Sequence, residues 1–229
     1  GFSPGALQSL SRGPTAYLVP RPSALSPDAA CTLSIVWSTV HVSFEVAGSR
    51  AGHAGLIHAA AGGVGLNATE YAMWLRMRAL GTLGSLAKHR HLRLAGHGEA
   101  CTASSRDATA FTHGLGSTLS SGRLECVLNS LSNDFTAVSF ASLAEGGCFA
   151  EIGKRGIWSR DYAPRPAPTV RYEPIAVDVD MGEKPMWQQG MLGWTGARAA
   201  QYVVRGLPRA VFDFRSSIKL ALQFLRKGH

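Results

Sequence analysis

Ala60, Gly62 and Gly65 stand in the spacing of a G-x-G-x-x-G turn with alanine in the first slot, inside the run Leu56-Ile57-His58-Ala59-Ala60-Ala61-Gly62-Gly63-Val64-Gly65. Small residues there permit a tight strand-to-helix turn and a close backbone approach to a pyrophosphate. The helix that follows offers free N–H groups and the positive end of its dipole. This is binding chemistry for a dinucleotide. Small-residue turns also join strand to helix in α/β proteins that bind nothing, because glycine tolerates backbone angles other residues avoid. The motif by itself leaves both readings open.

A second group of candidates lies about 20 residues on, where an NAD site would place Asp or Glu against the ribose 2′-hydroxyl. The stretch Ser85-Leu86-Ala87-Lys88-His89-Arg90 has no carboxylate. Ser85, Lys88 and Arg90 offer a hydroxyl and two cations, the set a ribose 2′-phosphate needs. A solvated basic loop is the plainer account of the same residues.

Other reactive side chains suggest less. His89, His91, His97 and His113 follow neither H-E-x-x-H nor a Cys/His finger spacing, so no metal site is expected. Cys31, Cys101, Cys126 and Cys148 lack a C-x-x-C pair and stand mostly among apolar residues, as buried free thiols of a reducing, intracellular compartment would. The net charge of +8 comes from scattered Lys and Arg. It points to anionic ligands or an acidic neighbour before it points to nucleic acid.

These candidates need a scaffold, and 229 residues with 45% hydrophobic content can supply one large domain or two small ones. No transmembrane segment is expected, since the apolar stretch 31–46 is broken by Ser34, Ser38, His41, Ser43 and Glu45. Residues 1–27 are rich in Gly, Pro and Ser, with Ala16-Tyr17-Leu18-Val19 read as a strand before a linker. Ser26-Pro27-Asp28 sets up a helix start, and 29–46 reads as one long buried helix. After the glycine turn, Ala68, Tyr71, Ala72, Leu75 and Leu80 recur at helical spacing. Strands are expected at 79–86, within 99–107, and at 124–131, 148–154 and 170–178. Helices are expected over 135–143, 184–205 and 216–227. The segment 156–168 reads as a lid or docking loop. Met186, Trp187, Met191 and Trp194 form an apolar stripe suited to core packing or a partner contact. Strands alternating with helices, with polar residues at strand carboxyl ends, describe an α/β protein built on a doubly wound parallel sheet.

Four motifs in order carry a resemblance: the run from Leu56 to Gly65, Ser104-Ser105-Arg106-Asp107, Val127-Leu128-Asn129-Ser130-Leu131, and Glu151-Ile152-Gly153-Lys154. Their spacing resembles the enoyl reductase domain of polyketide and fatty acid synthases, in the medium-chain dehydrogenase/reductase superfamily. The likeness runs from Gly5 to the end and is weakest at 79–100 and 155–210. It implies a Rossmann cofactor-binding domain over 28–229, preceded at 1–27 by a remnant of a GroES-like domain and linker. It further implies NADPH as cofactor and an α,β-unsaturated acyl thioester on a carrier protein as substrate. Hydride would go to the β-carbon and a proton to the α-carbon, without a metal. By the same resemblance Gly62, Gly63, Val64 and Gly65 would hold the pyrophosphate, and Ser85, Lys88 and Arg106 would lie near the 2′-phosphate. Asn129, Ser130 and Leu131 would pass beside the nicotinamide ribose. Lys154 and Asp178 match proton-donor positions of the animal synthase, and a lysine beside a carboxylate can serve as a general acid. An ordinary ion pair at a sheet end looks the same.

Family members carry a GroES-like substrate domain of on the order of a hundred residues ahead of the cofactor domain. The chain is expected to begin within its last strands, and to stop at Phe224-Leu225-Arg226-Lys227-Gly228-His229, ahead of the family's final strand. Without that domain the nicotinamide cleft lacks a wall and the substrate is not positioned. Two functions follow from this reading. One is an NADPH-dependent reductase domain of a larger synthase; the other is a non-catalytic structural subunit, with protein partners in a large assembly, that keeps the reductase fold.

Overall fold

The computed structural model describes residues 10–94, 101–120, 122–132, 134–159 and 167–226. Its centre is a sheet of six parallel strands: β1 (Ala54–Ile57), β2 (Arg78–Leu83), β3 (Cys101–Ser104), β4 (Leu124–Asn129), β5 (Leu143–Glu151) and β6 (Arg171–Pro174). They lie in the order β3-β2-β1-β4-β5-β6. The order reverses between β1 and β4, which pair in register at Leu56 and Val127. In a doubly wound sheet the crevice at that reversal, beyond the strand carboxyl ends, is where ligands bind.

Alternation along the strands builds two cores. Leu56, Val127 and Phe149 face one side and pack with Phe111, Leu115, Phe140 and Tyr172. Ile57, Leu128, Cys148 and Ala150 face the other and pack with Val40, Phe44, Ala68 and Tyr71. The helices are α1 (Pro27–Ala30), α2 (Ser34–Val46), α3 (Gly63–Trp74), α4 (Leu86–Leu94), α5 (Ala108–Leu119), α6 (Asp134–Ala141), α7 (Val177–Glu183), α8 (Pro185–Ala200) and α9 (Ile218–Arg226), and α2 to α6 supply these two layers. Arg171 at the start of β6 donates to the Val46 and Ala47 carbonyls, at 2.8 and 3.2 Å. A guanidinium thereby satisfies the carbonyl end of α2 and ties it to the sheet.

Several elements differ from the sequence reading. The strand expected at 16–19 is a single 3-10 turn, Thr15–Tyr17, which follows Pro14 and whose Tyr17 hydroxyl donates to the Gly182 carbonyl at 3.4 Å. No sheet edge reaches it among the described residues, so the chain lacks the partner a strand requires. The single helix expected over 29–46 is α1 and α2, divided by a turn at 31–33. The cap at Ser26 is as expected, its side chain accepting from the Ala29 N–H at 3.4 Å. Residues 86–90 are the first turns of α4 rather than a loop, because the Ser85 hydroxyl accepts from the Lys88 N–H and caps the helix. Asp178 lies in the first turn of α7 and not in a strand. β6 ends at Pro174.

Buried free thiols hold for Cys126 and Cys148 but not for Cys31, which is exposed in the turn after α1. In the Trp/Met stripe, Met191 is buried and Trp187 packs against it, while Met186 and Trp194 stand in solvent. His97, and parts of the expected strand at 99–107 and loop at 156–168, fall outside the described residues. No helix among the described residues is long and apolar enough to cross a membrane.

Candidate functional site

The glycine turn is built where β1 runs into α3. His58 N–H donates to the Leu128 carbonyl at 3.1 Å and Ala60 N–H to the Thr82 carbonyl at 2.9 Å, which locks the turn between β4 and β2. The Thr82 hydroxyl accepts a further bond from the Ala59 N–H at 2.9 Å. Gly62 is the extended residue before the helix, and its N–H donates to the Ala59 carbonyl at 2.7 Å. A Cβ on Gly65 would come within 2.4 Å of the Ala59 carbonyl oxygen and 2.5 Å of the Ala60 Cα. Only glycine lets α3 approach the turn this closely, which is the third-glycine role in dinucleotide turns. The N–H groups of Gly63, Val64 and Gly65 occupy the first turn of α3 and have no intrahelical acceptor. Gly62 and Gly63 are exposed, while Ala60 is wholly buried beneath them and shapes the turn from below.

The carboxyl ends of β2 and β3 meet beside this turn. Ser105 N–H donates to the Leu83 carbonyl at 2.9 Å, bringing Gly84, Ser85, Ser105 and Arg106 together. A Cβ on Gly84 would lie 3.0 Å from Arg106 Nε and 3.2 Å from Ser105 Oγ, so the guanidinium rests on the glycine. The Arg106 backbone is fixed as well, because Ser104 Oγ accepts from both the Arg106 and Asp107 N–H groups at 3.1 Å. Arg106 and Lys88 are exposed, and among the described residues neither has a carboxylate partner. Lys88 lies in the first turn of α4, with Arg90 further along the helix.

Asn129 departs from its expected place. It is wholly buried, and all four bonding positions of its amide are used. Nδ2 donates to the Leu131 carbonyl at 2.9 Å and to Glu151 Oε2 at 2.6 Å. Oδ1 accepts from the Leu131 N–H at 3.3 Å and from His58 Nδ1 at 2.5 Å. Nothing is left to contact a ligand. Ser130 is exposed and Leu131 half-buried, so those two carry the surface of this turn.

Lys154 and Asp178 do meet, with Nζ 2.7 and 3.0 Å from the two carboxylate oxygens. The hydrogen bond from Lys154 holds the Asp178 carboxyl below its ordinary value. Both side chains are more than half exposed, at the carboxyl end of β5 and the amino end of α7.

Four sets of residues thus sit on one rim of the sheet. Erythronolide synthase EryA2 of Saccharopolyspora erythraea is 35% identical over 195 residues, 84% of this chain. The CurK enoyl reductase structure superposes with a TM-score of 0.83 at 27% identity, covering 93% of this chain and 63% of that one. The chain belongs to the enoyl reductase domains of the medium-chain dehydrogenase/reductase superfamily. A third relative is the nucleotide-binding subdomain of the PpsC enoylreductase domain from Mycobacterium tuberculosis, with 26% identity and a TM-score of 0.67 over 76% of this chain and 97% of that one. No protein-family model matches the chain. It spans only 5% of the erythronolide synthase.

Within this enoyl reductase fold the sequence reading did not single out His58, Ser139 or Glu151, which are buried with Asn129. The signal available was a polar residue at the end of each of three neighbouring buried strands. Among the described residues no three His, Cys, Asp or Glu side chains come together as a metal would require. A cavity of about 420 Å³ lined by His41, Tyr71, Trp187 and Trp194 reaches Leu75, beyond the C-terminal end of α3, away from the glycine turn.

Proposed function

We propose that this chain binds NADPH along the rim formed by the carboxyl ends of β1 to β4 and serves the reduction of an α,β-unsaturated acyl thioester held on a carrier protein. The carrying observation is the contact between α3 and the turn at Gly65, which presents the first N–H groups of the helix beside exposed Gly62 and Gly63. A pyrophosphate fits that cradle, and a side chain at Gly65 would destroy it. Preference for NADPH is supported by Gly84 and Ser85 where an NAD site has a carboxylate, and by the Arg106 guanidinium, which rests on Gly84 and has no carboxylate partner among the described residues. Gly62, Gly63, Val64 and Gly65 would hold the pyrophosphate, Ser85, Lys88 and Arg106 the 2′-phosphate, and Ser130 and Leu131 the nicotinamide ribose.

When bound, NADPH supplies the hydride for the β-carbon. The chain's own part in the chemistry is to hold a proton at Lys154 Nζ for the α-carbon. Asp178 remains ionised, since its carboxyl is held below the ordinary range, and it orients the ammonium rather than donating.

Titration calorimetry with NADPH and NADH tests the reading. The expected result is tighter binding of NADPH, with Arg106→Ala removing about 10- to 100-fold of its affinity, as loss of a charge-assisted bond predicts, and leaving NADH unchanged. Equal affinity for the two nucleotides, or an Arg106→Ala protein that keeps its preference, would refute it.

A further inference from the structure

Beneath the rim, three adjacent strands end in side chains that bond to one another. His58 Nδ1 contacts Asn129 Oδ1 at 2.5 Å, and Asn129 Nδ2 donates to Glu151 Oε2 at 2.6 Å. The second Glu151 oxygen accepts from the Gly153 N–H at 2.6 Å. Backbone bonds run alongside, from Ile152 N–H to the Asn129 carbonyl at 2.9 Å and from Ile175 N–H to the Glu151 carbonyl at 2.8 Å. A Cβ on Gly153 would lie 2.6 Å from Glu151 Oε1, so the residue before Lys154 is shaped to sit on this carboxylate.

We infer that Glu151 is a positioning residue that sets the 129–131 turn and the 152–154 turn against each other through its two oxygens. This rests on the function proposed above, in which the first turn carries Ser130 and Leu131 beside the nicotinamide and the second carries Lys154. Both bonds to the carboxylate are donated to it, so the two oxygens act only as acceptors. Glu151→Gln keeps the shape but has one acceptor oxygen and one NH₂ group. It can serve one turn and must present a donor to the other. A buried acceptor replaced by a donor releases the turn it faced.

The adenosine end of the site, at β2 and β3, takes no part in this network. Nicotinamide-end and adenosine-end effects are therefore separable. The test compares wild type, Glu151→Gln and a control, Glu125→Gln. Glu125 Oε2 accepts from the Ala54 N–H at 2.6 Å at the opposite end of the same sheet, so its loss perturbs β1 and β4 without touching the rim. Hydrogen exchange, read without nucleotide, is expected to rise at residues 130–132 and 152–155 in Glu151→Gln alone. Affinity for 2′,5′-ADP, which lacks the nicotinamide half, is expected to stay within twofold in all three proteins. NADPH affinity is expected to fall at least tenfold in Glu151→Gln, with loss of the bound-state change in nicotinamide fluorescence. Unchanged exchange in both turns, or equal losses for 2′,5′-ADP and NADPH, would overturn the inference. A wild-type protein that binds neither nucleotide refutes the proposed function, and the exchange arm then decides the coupling of the turns by itself.

Discussion

Replacing Gly65 with alanine probes the contact on which the nucleotide site depends. The new Cβ would lie 2.4 Å from the Ala59 oxygen, 2.5 Å from the Ala60 Cα and 2.7 Å from the Ala60 carbonyl carbon. Relaxed contacts of this kind are about 3.5–4.0 Å, so α3 must retreat by about 1 Å. No side-chain rotation can absorb the clash, because all three opposing atoms are backbone. Ala59 already sits at φ 50, a strained left-handed position for a non-glycine residue, so the turn has little slack. Overpacking of this sort costs about 3 kcal/mol. Alanine's helix preference over glycine returns about 1 kcal/mol, leaving about 2 kcal/mol of destabilisation. For a domain of this size that lowers Tm by about 4–8 °C. The free N–H groups move with the helix, so NADPH affinity should fall by about 10- to 100-fold. The control is Gly116→Ala in α5, where a Cβ meets nothing within 4 Å, and where a rise of about 0.5–1 kcal/mol in stability is expected. Thermal melts and calorimetric titration read both effects. A Gly65→Ala protein that melts and binds like wild type would refute the argument from close approach.

Other predictions concern groups whose surroundings are equally specific. Burial pushes His58 down to about 4 from 6.5, so the unfolded chain binds a proton that the folded chain does not between those values. Its contribution is therefore complete above pH 6.5 and is lost as pH falls toward 4, by about 3 kcal/mol in all at ~1.4 kcal/mol per unit. Glu151, raised by burial, acts in the opposite sense. Urea midpoints across that interval should fall more steeply for wild type than for His58→Gln, and parallel curves would contradict the assignment. Alkylation followed by peptide mapping should label Cys31 in the native protein. Cys126 and Cys148, pushed up by burial to about 12 and 11, should react only after unfolding. Lys88→Ala should weaken NADPH relative to NADH without changing Tm measurably, since the side chain is exposed and its backbone N–H keeps the Ser85 bond; an unchanged ratio would remove Lys88 from the phosphate site.

The resemblance implied a place beside the ligand for Asn129 together with its motif neighbours Ser130 and Leu131. The final residue of β4 instead points its side chain into the sheet, where His58 and Glu151 saturate it. Asn129 is the last residue of β4 and is buried, whereas Ser130, next in sequence, lies beyond the strand and is exposed. The basic segment after β2 failed as a loop for a related reason. A serine followed three residues later by a main-chain N–H it can accept begins a helix, and this local bond outweighed the Gly-rich approach to it.

What the sequence determined by itself was the succession of the sheet strands, the glycine turn and the absence of a carboxylate after β2, because these depend on local spacing and residue type. Tertiary structure alone decided which small residues are obligatory, that Arg106 rests on Gly84, that Lys154 reaches Asp178, and that three strand ends share one buried hydrogen-bond network. Each of those contacts joins residues on different elements. Its geometry is set by strand register and helix packing, which no short stretch of sequence encodes.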